Sequence, residues 1–360
     1  MAKVRFGDIV RDVKINVDRD NNPYENYIAG DHMDSEDLTI HRYGSFATDD
    51  VGPAFTRIFK PGQILYGSRR TYLKKVAVAE FEGICANTTF VFESKDEAVL
   101  DNRLLPFIML SDAFTRWSIA HSKGSTNPYV LFSDLADYEF ELPTIAEQKV
   151  LADKLWAAYR LKESYKKLLE ATQEMVKSQF IEMFGDPIKN SKKLPSRKGE
   201  ELFAFSSGKA NTKSNLSNDF PFNCYGGNGI TGHSDQWLID YPTIVIGRVG
   251  EYCGCVHKTH GKVWITDNAI YIKEHKEKVF NETFLFYLMT YLDFHRLADE
   301  TGQPKITQRP LLTMDYIIPA KDLQEQFVAI AHQADKSEFE LRKSIESIDK
   351  VIKSLINENL

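Results

Sequence analysis

The chain has 360 residues, of which 42% are hydrophobic and 12% aromatic; this excludes a disordered or low-complexity protein and sets an expectation of two or three domains. No stretch approaches the roughly 18 uninterrupted apolar residues of a membrane helix, and residues 1–9 lack the charged-then-apolar pattern of a secretion signal, so no membrane association and a cytoplasmic location are expected. The net charge of -6 gives no global cationic surface, and Cys85, Cys224, Cys253 and Cys255 are too few and too irregularly placed for a disulfide framework.

In chain order, the first distinctive segment is an acid-free run, residues 51–79, which holds Arg57, Lys60, Arg69, Arg70, Lys74 and Lys75. Within it Gln63-Ile-Leu-Tyr-Gly67-Ser-Arg69 reads as a strand ending in glycine and then arginine, and Ile84-Cys-Ala-Asn87-Thr-Thr-Phe-Val-Phe92 reads as another. Thr144-Ile-Ala-Glu147 has the form of a capping box, in which the threonine oxygen and the glutamate satisfy each other's backbone donors. A helix is predicted from about residue 145 to about 184, where Gly185-Asp186-Pro187 supplies a glycine and then a proline stop. Along it Leu151, Leu155, Ala158, Lys162, Tyr165, Leu169, Thr172 and Val176 keep a 4-3-4-3 spacing, a coiled-coil seam with polar interruptions.

Beyond that helix lies a second acid-free run, residues 187–199, with Lys189, Lys192, Lys193, Arg197 and Lys198. Thr243-Ile-Val-Ile-Gly247-Arg248 and Trp264-Ile-Thr-Asp-Asn268-Ala-Ile-Tyr-Ile272 again read as strands. Asp322-Leu-Gln-Glu325 reads as a second capping box, opening a helix from about 323 to the C-terminus with Leu341, Ile345, Ile348, Ile352 and Leu355 at heptad spacing.

The two halves correspond. Gly124, Asp137, Tyr138, Glu147 and Gln148 recur as Gly302, Asp315, Tyr316, Glu325 and Gln326, each pair 178 positions apart. The strand ending at Gly67 lies against the one ending at Gly247, with Arg248 in the place of Arg69. The expected class is α+β: two mixed α/β domains separated by two long helices that form an antiparallel coiled coil, with approximate two-fold symmetry. Helices of 35 to 40 residues span about 50 to 60 Å. The boundaries are 1–143, 144–185 for the first long helix, 186–321, and 322–360 for the second.

Three patterns suggest other chemistry. Gly227-Asn-Gly229-Ile-Thr-Gly232 has dinucleotide-loop spacing, yet it follows no convincing strand and opens no helical pattern. Thr126-Asn127-Pro128-Tyr129 approaches an amino-methyltransferase motif but lacks its second proline. Cys253-Gly-Cys255-Val-His257-Lys-Thr-His260 offers four ligand types at spacings that depart from zinc sites, so no metal is expected.

Over nearly its whole length the chain resembles the specificity subunits of type I restriction-modification systems. The resemblance rests on Leu142-Pro-Thr-Ile-Ala-Glu-Gln148 opening a long helix, on Tyr225-Gly-Gly-Asn-Gly-Ile-Thr-Gly232 followed by Pro242-Thr-Ile-Val-Ile-Gly-Arg-Val-Gly250 and Trp264-Ile-Thr-Asp-Asn268, and on Gly302-Gln303-Pro-Lys305 before the final helix. It departs in the first domain, where Gly124-Ser-Thr-Asn-Pro128 stands in place of Gly302-Gln-Pro-Lys. The resemblance implies a non-catalytic DNA-reading subunit in which each globular domain is a target-recognition domain for half of a split target. The coiled coil fixes the gap, because readers must be held at a set spacing along the duplex. It further implies two adenine-methyltransferase subunits as partners, restriction/translocase subunits, and S-adenosylmethionine, Mg2+ and ATP on those partners with no cofactor on this chain.

On that reading Arg69 and Arg70 are base readers, since arginine matches guanine O6 and N7, and Lys74 and Lys75 are phosphate contacts. In the second domain Arg248 takes the reading position, with Lys209, Lys213 and Lys258 on phosphates, and Gln303 and Lys305 project from a turn. Leu151, Leu155, Leu169, Val176, Leu341, Ile345, Ile348 and Ile352 serve the spacer and partner docking. Two rival readings stay open: a self-sufficient DNA methyltransferase, and a coiled-coil scaffold with two protein-binding heads.

Overall fold

A run as uniformly apolar as Ile64-Leu65-Tyr66 suits a strand covered on both faces, and the computed structural model places it in one. That model describes residues 2–18, 21–210, 216–217, 219–299 and 302–360. The chain divides into two units, Met1–Lys166 with Lys343–Leu360, and Lys167–Arg342. The elements that matter for function are β1 (Val10–Asp12), β2 (Ile64–Gly67), β3 (Val76–Val78), β4 (Thr89–Ser94), α1 (Ile145–Phe184), β5 (Phe203–Ser207), β6 (Ile244–Gly247), β7 (Val256–Lys258), β8 (Ala269–His275) and α2 (Lys321–Asn359).

In the first unit β1, β4, β2 and β3 lie side by side in that order, all antiparallel. Strand alternation sends Ile64, Tyr66, Val76, Phe90 and Phe92 into one buried cluster and Leu65, Ala77 and Val91 into another on the opposite face. The second cluster is closed by a mixed sheet with one parallel pairing, Tyr27 to Ile84 and Ile28 to Cys85.

The second unit repeats the plan. Its sheet runs β5, β8, β6, β7, with Ile244, Ile246, Ile270 and Ile272 on one face and Val245, Ala269 and Tyr271 on the other. A mixed sheet again closes the second face through one parallel pairing, Asn223 to Val263. Both domains are therefore mixed α/β, as the residue patterns predict.

The helix α1 spans the predicted residues, 40 in all. Thr144 and Glu147 form the capping box: the Thr144 N–H donates to Glu147 Oε2 at 2.9 Å and the Glu147 N–H to Thr144 Oγ1 at 3.4 Å. Gly185 ends the helix with φ 75, its N–H donating to the Ile181 carbonyl. A Cβ there would lie 2.3 Å from Ser191 Oγ, so glycine is required twice over.

The second capping box does not form. Helix α2 starts at Lys321, the Ala320 carbonyl accepts from Leu323 and Gln324, and Asp322 lies inside the first turn. The cause is a buried glutamine. Gln324 donates through Nε2 to the Pro319 and Val279 carbonyls at 2.9 and 3.1 Å and accepts from the Asn281 N–H at 2.9 Å. Gln148 does the same in the first unit, donating to the Pro143 and Val99 carbonyls and accepting from the Asp101 N–H. The true partner of Gln148 is thus Gln324, 176 positions on, rather than Gln326, which is exposed.

Within the first unit α1 and α2 run antiparallel: Leu151 shares a surface groove with Leu355, and Lys162 pairs with Asp349 at 2.6 Å. Leu151, Leu155 and Ile352 are buried there together with Tyr159 and Ile356, while Ile345 and Ile348 are half-buried. In the second unit Val176 is buried and Leu169 and Leu341 half-buried. There the helices also meet through aromatic rings, Phe180 and Phe327 packing edge to face at 5.3 Å.

Replacing Gln148 or Gln324 by alanine leaves three backbone groups unpaired, at least one of them in a buried bond. Each substitution is expected to cost about 2–4 kcal/mol in urea unfolding, whereas Gln326→Ala should stay within about 0.5 kcal/mol. Equal effects at Gln324 and Gln326 would contradict this register.

Candidate nucleic-acid interface

Each unit stitches the loop after its central strand to a distant X-Pro loop. In the first, the Ser68 N–H and hydroxyl donate to the Thr88 carbonyl, the Arg70 N–H to the Pro128 carbonyl at 2.7 Å, and the Val130 N–H back to Ser68 at 3.0 Å. Arg69 pairs with Tyr129 as an isolated bridge, and Tyr129 pairs with Lys123. In the second, the Arg248 N–H donates to the Asn268 carbonyl, the Gly250 N–H to Pro304, and the Ile306 N–H back to Arg248, each at 2.9 Å. Val249 bridges Lys305, which bridges Asp299.

These bonds equate Ser68 with Arg248, Arg69 with Val249, Arg70 with Gly250, Asn127 with Gln303 and Tyr129 with Lys305. Sequence matching placed Arg248 opposite Arg69, a slip of one residue, because each strand run ends in glycine with an arginine close behind it. The hydrogen bonds count from the glycines and give the register directly.

Arg69 and Arg70 are exposed, and among the described residues neither forms an ion pair. Arg70 Nε lies 3.3 Å from Asn127 Oδ1. Its backbone is left-handed, φ 50, as is that of Gly250 at φ 80. Glycine adopts this region freely and arginine at a cost of roughly 1 kcal/mol.

The lysines divide. Lys74 is largely covered, with Glu36 and Asp112 at 3.0 and 3.1 Å. Burial would lower its pKa, and the bonds to these two carboxylates outweigh that and raise it. Its charge is thus shared with two carboxylates of the same unit, beside which the phosphate contact expected from sequence would have to form. Lys75 is half-buried and donates to the Gly30 carbonyl, beside Arg69 and Arg70 on one cleft wall.

Lys209 is exposed, and its carbonyl accepts from Trp264 Nε1 at 3.1 Å. Lys213 lies outside the described residues. Lys258 bonds Thr283 Oγ1 at 3.1 Å and sits 5.8 Å from the Phe286 ring centre. It pairs with Ile244, the end of β6 remote from the Arg248 loop, so β6 and β7 do not bring Lys258 to Arg248.

Arg248 is half-buried with its Nε unpartnered among the described residues, while Gln303 and Lys305 are exposed. Sequence reading took Asn127 and Tyr129 only as part of a methyltransferase-like pattern and did not place them in this loop pair. The signal for them was a carboxamide before proline in both halves, Asn127-Pro128 and Gln303-Pro304, visible only at a spacing of 176.

The suggestive motifs acquire other roles. Gly227 to Gly232 forms the turn and second strand of the hairpin Phe222–Gly226 with Gly229–Ser234, without the strand-to-helix passage a dinucleotide loop needs. Cys253 Sγ donates to the Arg248 carbonyl at 3.2 Å, and burial pushes the Cys253 and Cys255 thiols up. Asp37, His41 and Glu163 converge, and Lys166 Nζ supplies positive charge to both carboxylates, 2.7 Å from Asp37 and 2.9 Å from Glu163.

Both halves match the family model described as the type I restriction modification DNA specificity domain, over residues 13–172 and 192–349. The chain belongs to this family. Among curated Escherichia coli proteins it is 27% identical to the type I restriction enzyme EcoprrI specificity subunit over 128 residues, 36% of this chain and 30% of that one. It is 30% identical to the EcoDI specificity subunit over 122 residues, 34% of this chain and 26% of that one. The matched stretches thus span under a third of these relatives. A crystal structure of the S subunit of a type I restriction-modification system from M. genitalium aligns over all of this chain and 96% of its own at 15% identity, with a TM-score of 0.58, a likeness of fold.

The Asp37 network gives a pH prediction. Burial alone would raise this carboxyl, but hydrogen bonds from Lys166, Tyr159 and the Thr39 N–H overcome it and hold the pKa at about 2. The resulting stability is complete above the ordinary aspartate range and is lost as pH falls through about 2. Asp37→Asn should therefore lose about 1–3 kcal/mol at pH 7, measured by urea unfolding, with the difference from the parent shrinking toward pH 2.

Proposed function

We propose that this chain is the non-catalytic DNA sequence-recognition subunit of a type I restriction-modification complex, with each unit reading one half of a bipartite target. The observation that carries this reading is the doubled loop pair: two sheets of the same order present Arg69, Arg70 and Asn127 in one unit and Arg248, Gln303 and Lys305 in the other, through the same backbone bonds. A repeated reader suits a split site, and the arginines and carboxamides of these loops offer donors and acceptors matched to base edges. Lys75, Lys209 and Lys305 supply charge for phosphates.

On this reading α1 and α2 form an antiparallel coiled coil that sets the gap between half-sites and gives the subunit its approximate two-fold symmetry. The seam residues, Leu151, Leu155, Leu169 and Val176 facing Leu341, Ile345, Ile348 and Ile352, hold the spacer together. Leu161, Leu168 and Met175 are exposed at seven-residue spacing on α1 and are the surface for two adenine-methyltransferase subunits. Methyl transfer from S-adenosylmethionine belongs to those partners, and ATP- and Mg2+-dependent restriction to further subunits.

The test is the chain assembled with a methyltransferase partner. The logarithm of the DNA affinity should fall linearly with the logarithm of salt concentration, as release of counterions from phosphates requires. Adding one heptad after Ala171 and one after Glu340 lengthens both helices by about 10 Å. It should widen the gap between methylated half-sites while leaving the half-sites themselves unchanged. Altered half-sites with an unchanged gap would contradict the spacer role.

A further inference from the structure

The two X-Pro loops place the same functional group at the same point of both units. Asn127 precedes Pro128, whose carbonyl accepts from Arg70, and Gln303 precedes Pro304, whose carbonyl accepts from Gly250. The residues that differ compensate in size. In the first unit the shorter amide stands beside an arginine, Arg70 Nε lying 3.3 Å from Asn127 Oδ1. In the second the longer amide stands beside a glycine, and a Cβ on Gly250 would lie 3.5 Å from Gln303 Nε2. Among the described residues, neither Asn127 Nδ2 nor the Gln303 carboxamide has a hydrogen-bond partner.

We propose that Asn127 and Gln303 are the paired base-reading residues of the two units, each turned to an adenine in the major groove, and that Arg70 positions Asn127. This rests on the DNA-reading function proposed above. A carboxamide carries one acceptor and one donor side by side, the complement of adenine N6–H and N7; guanine offers two acceptors on that edge and cytosine a single donor. The bond from Arg70 takes one lone pair of Asn127 Oδ1, fixes which way the amide faces, and leaves the second lone pair and both Nδ2 hydrogens for the base. The left-handed backbone of Arg70, φ 50, is the conformation that brings its N–H onto the Pro128 carbonyl. Strain of this kind at an exposed loop fits a residue kept for a contact rather than for stability.

The experiment is competition binding of a randomised duplex library to the assembled complex, comparing the parent with Asn127→Asp, Gln303→Glu and Arg70→Gly. A carboxylate has no hydrogen to give adenine N7. Asn127→Asp should lower the preference for adenine at one base pair of one half-site by about tenfold to a hundredfold and leave the other half-site intact. Gln303→Glu should do the same in the other half-site only. Arg70→Gly should weaken selectivity at the base pair that Asn127→Asp affects while unfolding in urea no earlier than the parent, a pattern that a merely structural arginine would not give. If both carboxylate variants keep every base preference, or weaken binding uniformly across sequences, base reading by these amides is refuted while the recognition function stands. If the parent complex itself shows no base preference, that function fails and this inference with it.

Discussion

One buried glutamine in each unit fixes where the long helix starts and what it is fastened to. Gln148 and Gln324 each saturate the carbonyl of the proline five residues upstream, a carbonyl on a remote loop, and one N–H two residues further along that loop. Each lies almost wholly out of water, at 1% exposure. A buried amide with both its ends satisfied is costly to misplace, because it would itself lose its partners without gaining solvent and would strand the proline carbonyl it holds. The clamp therefore determines the angle and register with which each domain meets its own helix segments.

From that fixed point the placement of the paired loops follows. The strand pairs leading into the helices, Ala2–Arg5 with Glu139–Leu142 and Ser196–Lys198 with Asp315–Ile317, tie each domain's chain ends together. The four-stranded sheet is gripped on both faces, so the loop leaving its central strand emerges from a rigid edge. Two backbone bonds then hold that loop against the X-Pro loop. Side chains on such a scaffold lose little freedom on binding, and a side chain on the paired loops can be exchanged without disturbing the frame that presents it.

Much of this was legible in the sequence. The bounds of α1, its capping box and its terminal glycine follow from side chains acting on their immediate neighbours, and the strand runs ending at Gly67 and Gly247 announce themselves by composition. The internal duplication was legible too, but its register was not. Equivalent residues lie 180 apart in the central strands and 176 apart at the X-Pro loops and helix starts, as Thr88 with Asn268 and Pro128 with Pro304 show. Five identities at 178 fall between these values and mark no shared role in the helix starts. The loop pairing rests on main-chain bonds, so Asn127 was read only within a methyltransferase-like pattern and Lys258 was grouped with an arginine at the far end of its hairpin. The ion pairs of Lys74 were hidden for a related reason: its partners Glu36 and Asp112 are distant in sequence.

The central claim is that two equivalently built loop pairs, one in each unit, meet the DNA. Hydrogen–deuterium exchange of the chain in its assembled complex, with and without target duplex, tests it most directly. The account predicts slowed exchange on DNA binding at residues 67–73 and 127–130 and equally at 247–252 and 302–306. Protection confined to one unit, or falling elsewhere on both, would contradict it.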